Sequence, residues 1–519
     1  MTRPLLLNGF MATGKSTVGR RVAELEGVPF DDLDAAIERR AGARVSEIFE
    51  SVGEAGFRRL ERAELERVLA EPTRRVIALG GGALLSRDLR LDALDRACVV
   101  CLEAPLDVVL SRAGATPRPL LAGPDPRARA AELLAARRPA YAEAHARVDT
   151  GRGDVDESAR AVQAAWNRRA IAVAAGERSY AIEVGSAIVR DRLGVLTAEA
   201  TKTLVVTDRN VLAAHGSTLA AALPGAEPLE LEPGEQHKTP RALEQIWRAA
   251  LAHDLDREST LVAFGGGVVS DITGFAAATW MRGTRWLAVP TTLLAMVDAS
   301  VGGKTAVDLD DSKNSVGAFW QPAGVLCDIA LLSTEPQRGF VSALSEVVKT
   351  ALIGDPELLD LLEARADAVV ARDPSSLIEI VLRSVAVKAR IVSLDERESG
   401  LRRVLNLGHT IGHALEASTG YRCYTHGEAV SLGLVAALQV GQRLGVTSHP
   451  TSERVRGLLM RLGLPVELRA NGLDDALAIL GRDKKRQGTY IHFVMVSAPG
   501  RVETQLLPLE QLRRLAQLN

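Results

Sequence analysis

Gly9-Phe-Met-Ala-Thr-Gly14-Lys15-Ser16 has the composition and spacing of a phosphate cradle, G-x-x-x-x-G-K-[ST]. It follows the strand-like run LLLNGF and leads into Thr17-Val-Gly-Arg-Arg, which reads as a helix start. In that setting successive backbone N–H groups and the helix N-terminus hold phosphates, Lys15 neutralises the terminal ones, and the Ser16 hydroxyl ligates magnesium. Further along, Asp32 and Asp34 form D-x-D beside a short strand ending in Pro29-Phe30, and Gly80-Gly81-Gly82 end the strand VIAL. Arg58, Arg118 and Arg137 lie in FRRLE, PRPLL and RRPAY. Carboxylates of this kind suit hydroxyls or magnesium, and the arginines suit a carboxylate or developing phosphoryl charge. A single arginine is more often a solvated surface residue; the set is what carries the reading.

A second constellation runs from Phe264 to Phe319, with two glycine clusters, a threonine pair, aspartates and two lysines close together. The strand Thr260–Phe264 enters Gly265-Gly266-Gly267, where phosphates can approach backbone at a strand end. Upstream, TKTLVVTDRNV places Asp208 just past a strand, where a carboxylate can take ribose hydroxyls. Glu235 and Lys238, in PGEQHK, add an acid and a base on a turn. A nicotinamide dinucleotide is the leading ligand, against the plainer reading of tight turns.

A third group has metal chemistry. Three of the nine histidines, His409, His413 and His426, fall within 18 residues. His409 and His413 are four apart and share one face of a helix. Glu346 in SEVVKTAL lies on an earlier helix, with Lys349 one turn later. Two nitrogen ligands and a carboxylate from separate helices, with a position left open, describe a catalytic zinc site. The spacing does not select which two histidines join Glu346. A further pair, Cys98 and Cys101 in ACVVCLEA, reads instead as packing in a strand, since residues three apart there point to opposite faces.

These groups need elements to position them. The chain has 519 residues, 47% hydrophobic and 25% charged, which predicts two to four globular domains with large cores. A net charge of −2 argues against a general nucleic-acid binder. The first apolar run stops at Leu5–Leu7, too short for a signal peptide. The long apolar stretch Ala429 to Val440 is interrupted by Ser431, Gly433 and Gln439, so it reads as a buried helix rather than a membrane span. Four cysteines imply no disulfide framework and fit a reducing cytoplasm. Short apolar runs alternate with helical patterns up to a polar segment, TGRGDVDESAR, and a helix through Trp166. A new strand pattern starts at Ile171, and this α/β unit runs to about Ile329. From Thr334 through Leu480 the pattern is helical, and a late strand, TYIHFVMVSAPG, is expected to return to the sheet or form an edge. The fold class is α/β: a P-loop domain with a parallel sheet, an α/β dinucleotide-binding domain and a C-terminal all-helical metal-binding domain. The expected boundaries are 1–165, 172–330 and 331–519.

The phosphate cradle, D-x-D, arginines and triple glycine together resemble shikimate kinase over residues 1–165. The resemblance implies that Gly14, Lys15, Ser16 and Thr17 line the ATP phosphates and that Asp32, with Ser16, organises Mg2+. Arg118 would come from a lid over ATP. Asp34, Arg58, Gly80, Gly81 and Arg137 would hold shikimate. Lys15 and Asp34 are the expected catalytic residues. Ala12 stands where that family usually has glycine, and Gly153 where a late arginine often lies, so Arg152 is the expected substitute.

GGGVVSD, TWMRG, VPTTLLAMVDASVGGKT, KNSVGAFWQP, SEVVK, LNLGHTIGH and HGEAV resemble 3-dehydroquinate synthase over residues 172–519. That resemblance implies Zn2+ (or Co2+) on Glu346, His409 and His426, with His413 facing substrate. NAD would lie against Asp208, Glu235, Lys238, Gly267, Asp271, Thr291, Thr292, Lys304, Lys313 and Thr334. The heptulosonate 7-phosphate would be held by Asp298, Lys304, Asn314, Lys349, Lys388, Arg402, Asn406, His413 and Lys484. Lys304, Lys349 and His413 are the expected catalytic residues here. Arg282 would reach a neighbouring subunit's site, implying a homodimer through this half. Ser270 replaces a usual glycine and Asp308 a common asparagine. The implied partners are small molecules, with no nucleic acid and no membrane, in the cytoplasm. Alternatives are another sugar-phosphate cyclase or a metal-dependent polyol dehydrogenase in the second half. The first half could instead be a nucleotide-sensing or dimerisation module.

Overall fold

A computed structural model describes residues 3–113, 125–310, 312–467, 475–478, 480, 486–487 and 489–516. The chain forms two compact units, Met1–Glu183 and Val184–Asn519. In the first, strands β1 (Leu5–Gly9), β2 (Phe30–Asp32), β3 (Val76–Ala78), β4 (Cys98–Glu103) and β5 (Ala146–Asp149) form a parallel sheet in the order β2-β3-β1-β4-β5. The central strands read as unbroken apolar runs because helices cover both faces. Leu5, Leu7 and Cys98 pack against Val18, Val22 and Trp166. Leu6, Val99 and Cys101 pack with Ile37, Leu65 and Leu84 in a separate core. The two cysteines therefore face opposite sides of β4, as their spacing predicts. Burial pushes their thiols up to about 11 and about 12, which keeps them inert. The helix Val155–Trp166 starts at Asp154, whose carboxylate accepts the Glu157 N–H at 2.8 Å. An antiparallel hairpin, β6 (Ala170–Val173) with β7 (Tyr180–Gly185), follows.

In the second unit β8 (Thr203–Asp208), β9 (Leu229–Leu231), β10 (Thr260–Gly265), β11 (Arg285–Pro290) and β14 (Gly324–Asp328) run parallel in the order β14-β11-β10-β8-β9. Between β11 and β14 the chain leaves this sheet as an antiparallel hairpin, β12 (Lys304–Leu309) with β13 (Ser312–Phe319). From Gln337 to Arg461 the chain is largely helical, as the spacing predicts, but the C-terminal part is not all-helical, since three strands follow. Two of its helices open on an Asp-Pro pair: Asp355 caps Pro356–Val370 and Asp373 caps Pro374–Leu394. The acid accepts an orphan N–H, and proline has none to lose. The helix His426–Arg443 buries nearly its whole surface. The late strand, β16 (Tyr490–Ala498), does not return to the parallel sheet. It pairs antiparallel with β15 (Arg486–Gln487) and β17 (Arg501–Pro508), because the Pro499-Gly500 turn folds it back on its own neighbour.

Candidate active sites

β1 delivers the chain into the phosphate loop, and the helix Lys15–Glu26 carries it away. Lys15 Nζ donates to the carbonyl oxygens of Gly9 at 2.9 Å and Phe10 at 2.8 Å, so the ammonium is held over the loop. Ser16 Oγ donates to Asp32 Oδ2 at 2.7 Å, putting two hard oxygen ligands side by side. Thr17 follows, exposed, on the same first helical turn. Ala12 adopts φ 59, the left-handed region that glycine enters without penalty.

Asp34 sits in the first turn of the helix Leu33–Ala41 and faces the end of β3. A Cβ on Gly80 would lie 2.5 Å from Glu61 Oε1 and 2.9 Å from Asp34 Oδ1, so only glycine lets both carboxylates close on the strand end. Those two oxygens are buried and accept no hydrogen bond among the described residues. Burial raises both carboxyl groups above their ordinary values, and the Asp32 charge adds to the effect on Asp34. Arg58 donates to Glu61 Oε2 at 2.5 Å and to Glu54 Oε1 at 3.2 Å. Arg137 and the Tyr141 hydroxyl both donate to the Gly81 carbonyl, at 3.2 and 2.6 Å. Asp34, Arg58, Gly80, Gly81 and Arg137 are thus gathered around one strand end. Arg118 lies outside the described residues.

In the second unit β10 runs into the helix Gly267–Thr279, and Asp208 ends β8. One Asp208 oxygen accepts the N–H groups of Asn210 and Val211 at 2.9 and 3.0 Å. Lys238 is buried and donates to Asp271 Oδ2 at 2.5 Å and to Asn314 Oδ1. Burial raises Asp271 to about 6 even with that ammonium beside it. Lys313 lies 3.5 Å from Glu235 and 4.2 Å from the Tyr421 ring centroid. The β12–β13 hairpin therefore brings Lys313 and Asn314 to Glu235, Lys238 and Asp271. Thr291 is buried at the end of β11, Thr292 Oγ1 accepts the Ala295 N–H at 3.3 Å, and Thr334 hydrogen-bonds His215 at 2.6 Å.

Three helices meet at the metal cluster. Glu346 comes from Gln337–Gly354, His409 from His409–Ser418 and His426 from His426–Arg443. One ligand atom from each lies within 4.8 Å of the others. Glu346 Oε1 is buried, 3.5 Å from His409 Nε2 and 3.7 Å from His426 Nε2. His409 Nδ1 is 3.1 Å from the Leu407 carbonyl, an acceptor only, so this nitrogen donates and Nε2 is the atom that faces Glu346. A buried carboxylate oxygen facing two imidazole nitrogens from separate helices fits a cation. The other oxygen of Glu346 pairs with Lys349, and both side chains are buried. Burial opposes the Glu346 charge, yet Lys349 keeps its carboxyl below the usual range.

Cationic groups surround this cluster. Asp298 lies on a π-helical turn, Ala295–Ala299, an element rare outside functional sites. Lys388 Nζ donates to its backbone and carboxylate oxygens, each at 2.5 Å. Arg402 is buried and donates to the carbonyls of Gly302 and Glu396. Lys304 pairs with Glu398, whose other oxygen accepts Asn406 at 3.1 Å. The His413 ring is exposed and 5.1 Å from that of His409. Arg282 is exposed at a turn where Met281 and Arg282 take φ 49 and 67. Lys484 lies outside the described residues.

Residues 228–342 match the 3-dehydroquinate synthase N-terminal family, residues 343–486 its C-terminal family, and residues 11–166 the shikimate kinase family. The 3-dehydroquinate synthase of Geobacter sp. is 42% identical over 331 residues, 62% of this chain and 91% of that protein. The chain belongs to the 3-dehydroquinate synthase family, with a shikimate kinase domain at its N-terminal end. The 3-dehydroquinate synthase of Acaryochloris marina is 44% identical over 309 residues, 58% of this chain and 83% of that one. Among solved structures, a 2-epi-5-epi-valiolone synthase from Streptomyces hygroscopicus subsp. jinggangensis 5008, with NAD+ and Zn2+ bound, aligns at 26% identity with a TM-score of 0.58, covering 65% of this chain and 95% of that one. The higher identity to dehydroquinate synthases disfavours another cyclase or a polyol dehydrogenase. The shikimate kinase match likewise disfavours a merely sensory or dimerising first half.

Several residues at these sites carry no assignment from sequence. In the kinase domain Glu61 holds Arg58 three positions earlier on the same helix, a spacing that was available as a signal. Tyr141 stands one helical turn beyond Arg137. In the synthase part Glu416 lies three residues after His413, again at helical spacing. Glu398 belongs to the loop after Leu394, with φ 57, and no periodicity marks it.

Proposed function

We propose that this bifunctional enzyme phosphorylates shikimate to shikimate 3-phosphate with ATP, and converts 3-deoxy-arabino-heptulosonate 7-phosphate to 3-dehydroquinate and phosphate. The observation that carries the second activity is the convergence of Glu346 Oε1 with the Nε2 atoms of His409 and His426 beside buried Lys349 and Lys388. In the kinase, Lys15 faces the transferring phosphoryl group, while Gly14, Ser16 and Thr17 line the nucleotide phosphates. Ser16 and Asp32 would hold magnesium, which would supply charge to the phosphates. Arg58 and Arg137 take the shikimate carboxylate. Asp34, with its carboxyl raised by burial, accepts the proton of the attacking hydroxyl. Arg118 covers ATP.

In the synthase, Glu346, His409 and His426 hold zinc or cobalt. Bound there, the ion would supply polarisation of a substrate hydroxyl, and NAD would supply reversible hydride chemistry with no net redox. Asp208, Glu235, Lys238, Gly267, Asp271, Thr291, Thr292, Lys313 and Thr334 seat the dinucleotide. Lys304, Asn406, His413 and Lys484 bind the leaving phosphate. Asp298, Asn314, Lys349, Lys388 and Arg402 orient the rest of the substrate, with Lys349 and Lys388 supplying charge in a buried setting. Arg282 reaches the partner's site in a homodimer. The domains are 1–165, 172–330 and 331–519. No helix among the described residues is long and apolar enough to cross a membrane, and the placement we favour is the cytoplasm.

The test is an assay of the purified chain with each substrate, with and without chelator. Chelation should abolish phosphate release from the heptulosonate phosphate, zinc or cobalt should restore it, and NADH should not accumulate. Shikimate phosphorylation in excess magnesium should persist. Synthase turnover that survives exhaustive chelation would refute the metal assignment.

A further inference from the structure

The metal cluster leaves one buried carboxylate beside it without a role. Glu416 is 6% exposed, on the helix that carries His409 and His413. Its Oε2 lies 3.3 Å from His426 Nδ1, on the side of the ring opposite the Nε2 that faces Glu346 at 3.7 Å. His409 has the same arrangement with a different anchor, its Nδ1 donating to the backbone carbonyl of Leu407 at 3.1 Å. Each histidine is thus pinned at Nδ1, one by a neutral carbonyl and one by a carboxylate.

We propose that Glu416 is a positioning residue that fixes the orientation and tautomer of His426, so that Nε2 carries the lone pair offered beside Glu346. This rests on the reading of Glu346, His409 and His426 as metal ligands. A competing geometry exists: one ligand atom each from His413, Glu416 and His426 also lie within 4.8 Å of one another. A neutral imidazole has a single lone pair, however. A ring donating through Nδ1 to Glu416 offers that pair only through Nε2, so Glu416 cannot be anchor and co-ligand at once. The buried Oε1 of Glu346, which faces the Nε2 atoms of both His409 and His426, decides for the Nε2 side. A carboxylate behind a ligating imidazole fixes the ring and raises its basicity, and its loss typically weakens metal binding by about 10- to 100-fold.

The experiment is cobalt titration of the full chain, read by visible d–d absorption and by competition with a chelator. It compares wild type, Glu416→Gln, Glu416→Ala and His426→Ala, the last as the benchmark for a deleted ligand. Glu416→Gln keeps an acceptor oxygen like that of Leu407, so Co2+ should bind only a few-fold more weakly with the band positions kept. Glu416→Ala should bind about 10- to 100-fold more weakly with an altered spectrum, while its metal-free thermal midpoint stays close to wild type. Wild-type affinity and spectrum in both Glu416 variants would overturn the inference. So would a Glu416→Gln loss as large as that of His426→Ala, which would make Glu416 a ligand. If Glu416→Ala does not fold, the isosteric Glu416→Gln decides by the same two criteria. Wild type that binds no Co2+ refutes the metal reading itself, and the inference falls with it.

Discussion

Glu61 shows how much a single buried residue controls in the kinase domain. One of its oxygens holds Arg58 at 2.5 Å, while the other, without a partner among the described residues, closes on Gly80 beside Asp34. Arg58 also touches exposed Glu54, a solvent-screened contact that contributes little orientation. Glu61→Gln replaces a charge-assisted bond with a neutral one, a loss of about 1–2 kcal/mol in the placement of Arg58. The expected result is a rise of about ten-fold in the KM for shikimate, with the KM for ATP unchanged and kcat reduced much less. Equal KM values for shikimate in variant and wild type would show that Arg58 needs no such anchor. Glu61 and Glu416 were both legible in principle, since each sits at helical spacing from a residue already singled out. Glu398 was not, because a loop brings it to Lys304 and Asn406 and loops have no period.

Elements with a recognisable signal were readable from the chain: the P-loop strand and helix, and the buried helix around Ala429. Those that depend on tertiary context were not, including the π turn under Asp298, the β12–β13 hairpin and the isolated sheet of β15, β16 and β17. In each, backbone geometry follows from what packs around it rather than from its own pattern. The same holds for the junction at Glu335, where the turn Ile329–Thr334 meets the helix that carries Glu346. Glu335 Oε2 accepts the Leu293 N–H at 2.9 Å, and burial raises its carboxyl to about 7. A folded-state pKa above the unfolded value near 4.5 means that the folded chain binds the extra proton. The stabilisation is complete below about pH 4.5 and is lost as pH rises through about 7. Glu335→Gln keeps an acceptor for Leu293 but cannot ionise. Denaturation of the two proteins across pH should show the variant more stable at pH 8 by about 1–3 kcal/mol, with the gap closing below pH 5. A pH-independent gap would rule out Glu335 as its source.

Across the whole molecule, the kinase residues fall between Gly9 and Arg152 and the synthase residues between Asp208 and Lys484, so each set lies within one compact unit. The chemistry agrees with that separation. 3-Dehydroquinate must lose water and be reduced before it becomes shikimate, so the product of one site is not the substrate of the other. Lys15→Ala removes the only lysine of the phosphate loop, and shikimate phosphorylation should fall by about 1,000-fold or more, in line with the cost of losing a central transition-state charge. If Glu346 is the ligand we propose, Glu346→Gln exchanges a charged oxygen for an amide and leaves Lys349 buried without its carboxylate, so the synthase should lose both bound metal and turnover. In each variant the other activity should stay within about two-fold of wild type, because its charges and its core are untouched. Both activities measured on the same purified preparations decide the matter. A ten-fold fall of the other activity in either variant, with thermal unfolding unchanged, would show that the two sites are energetically coupled.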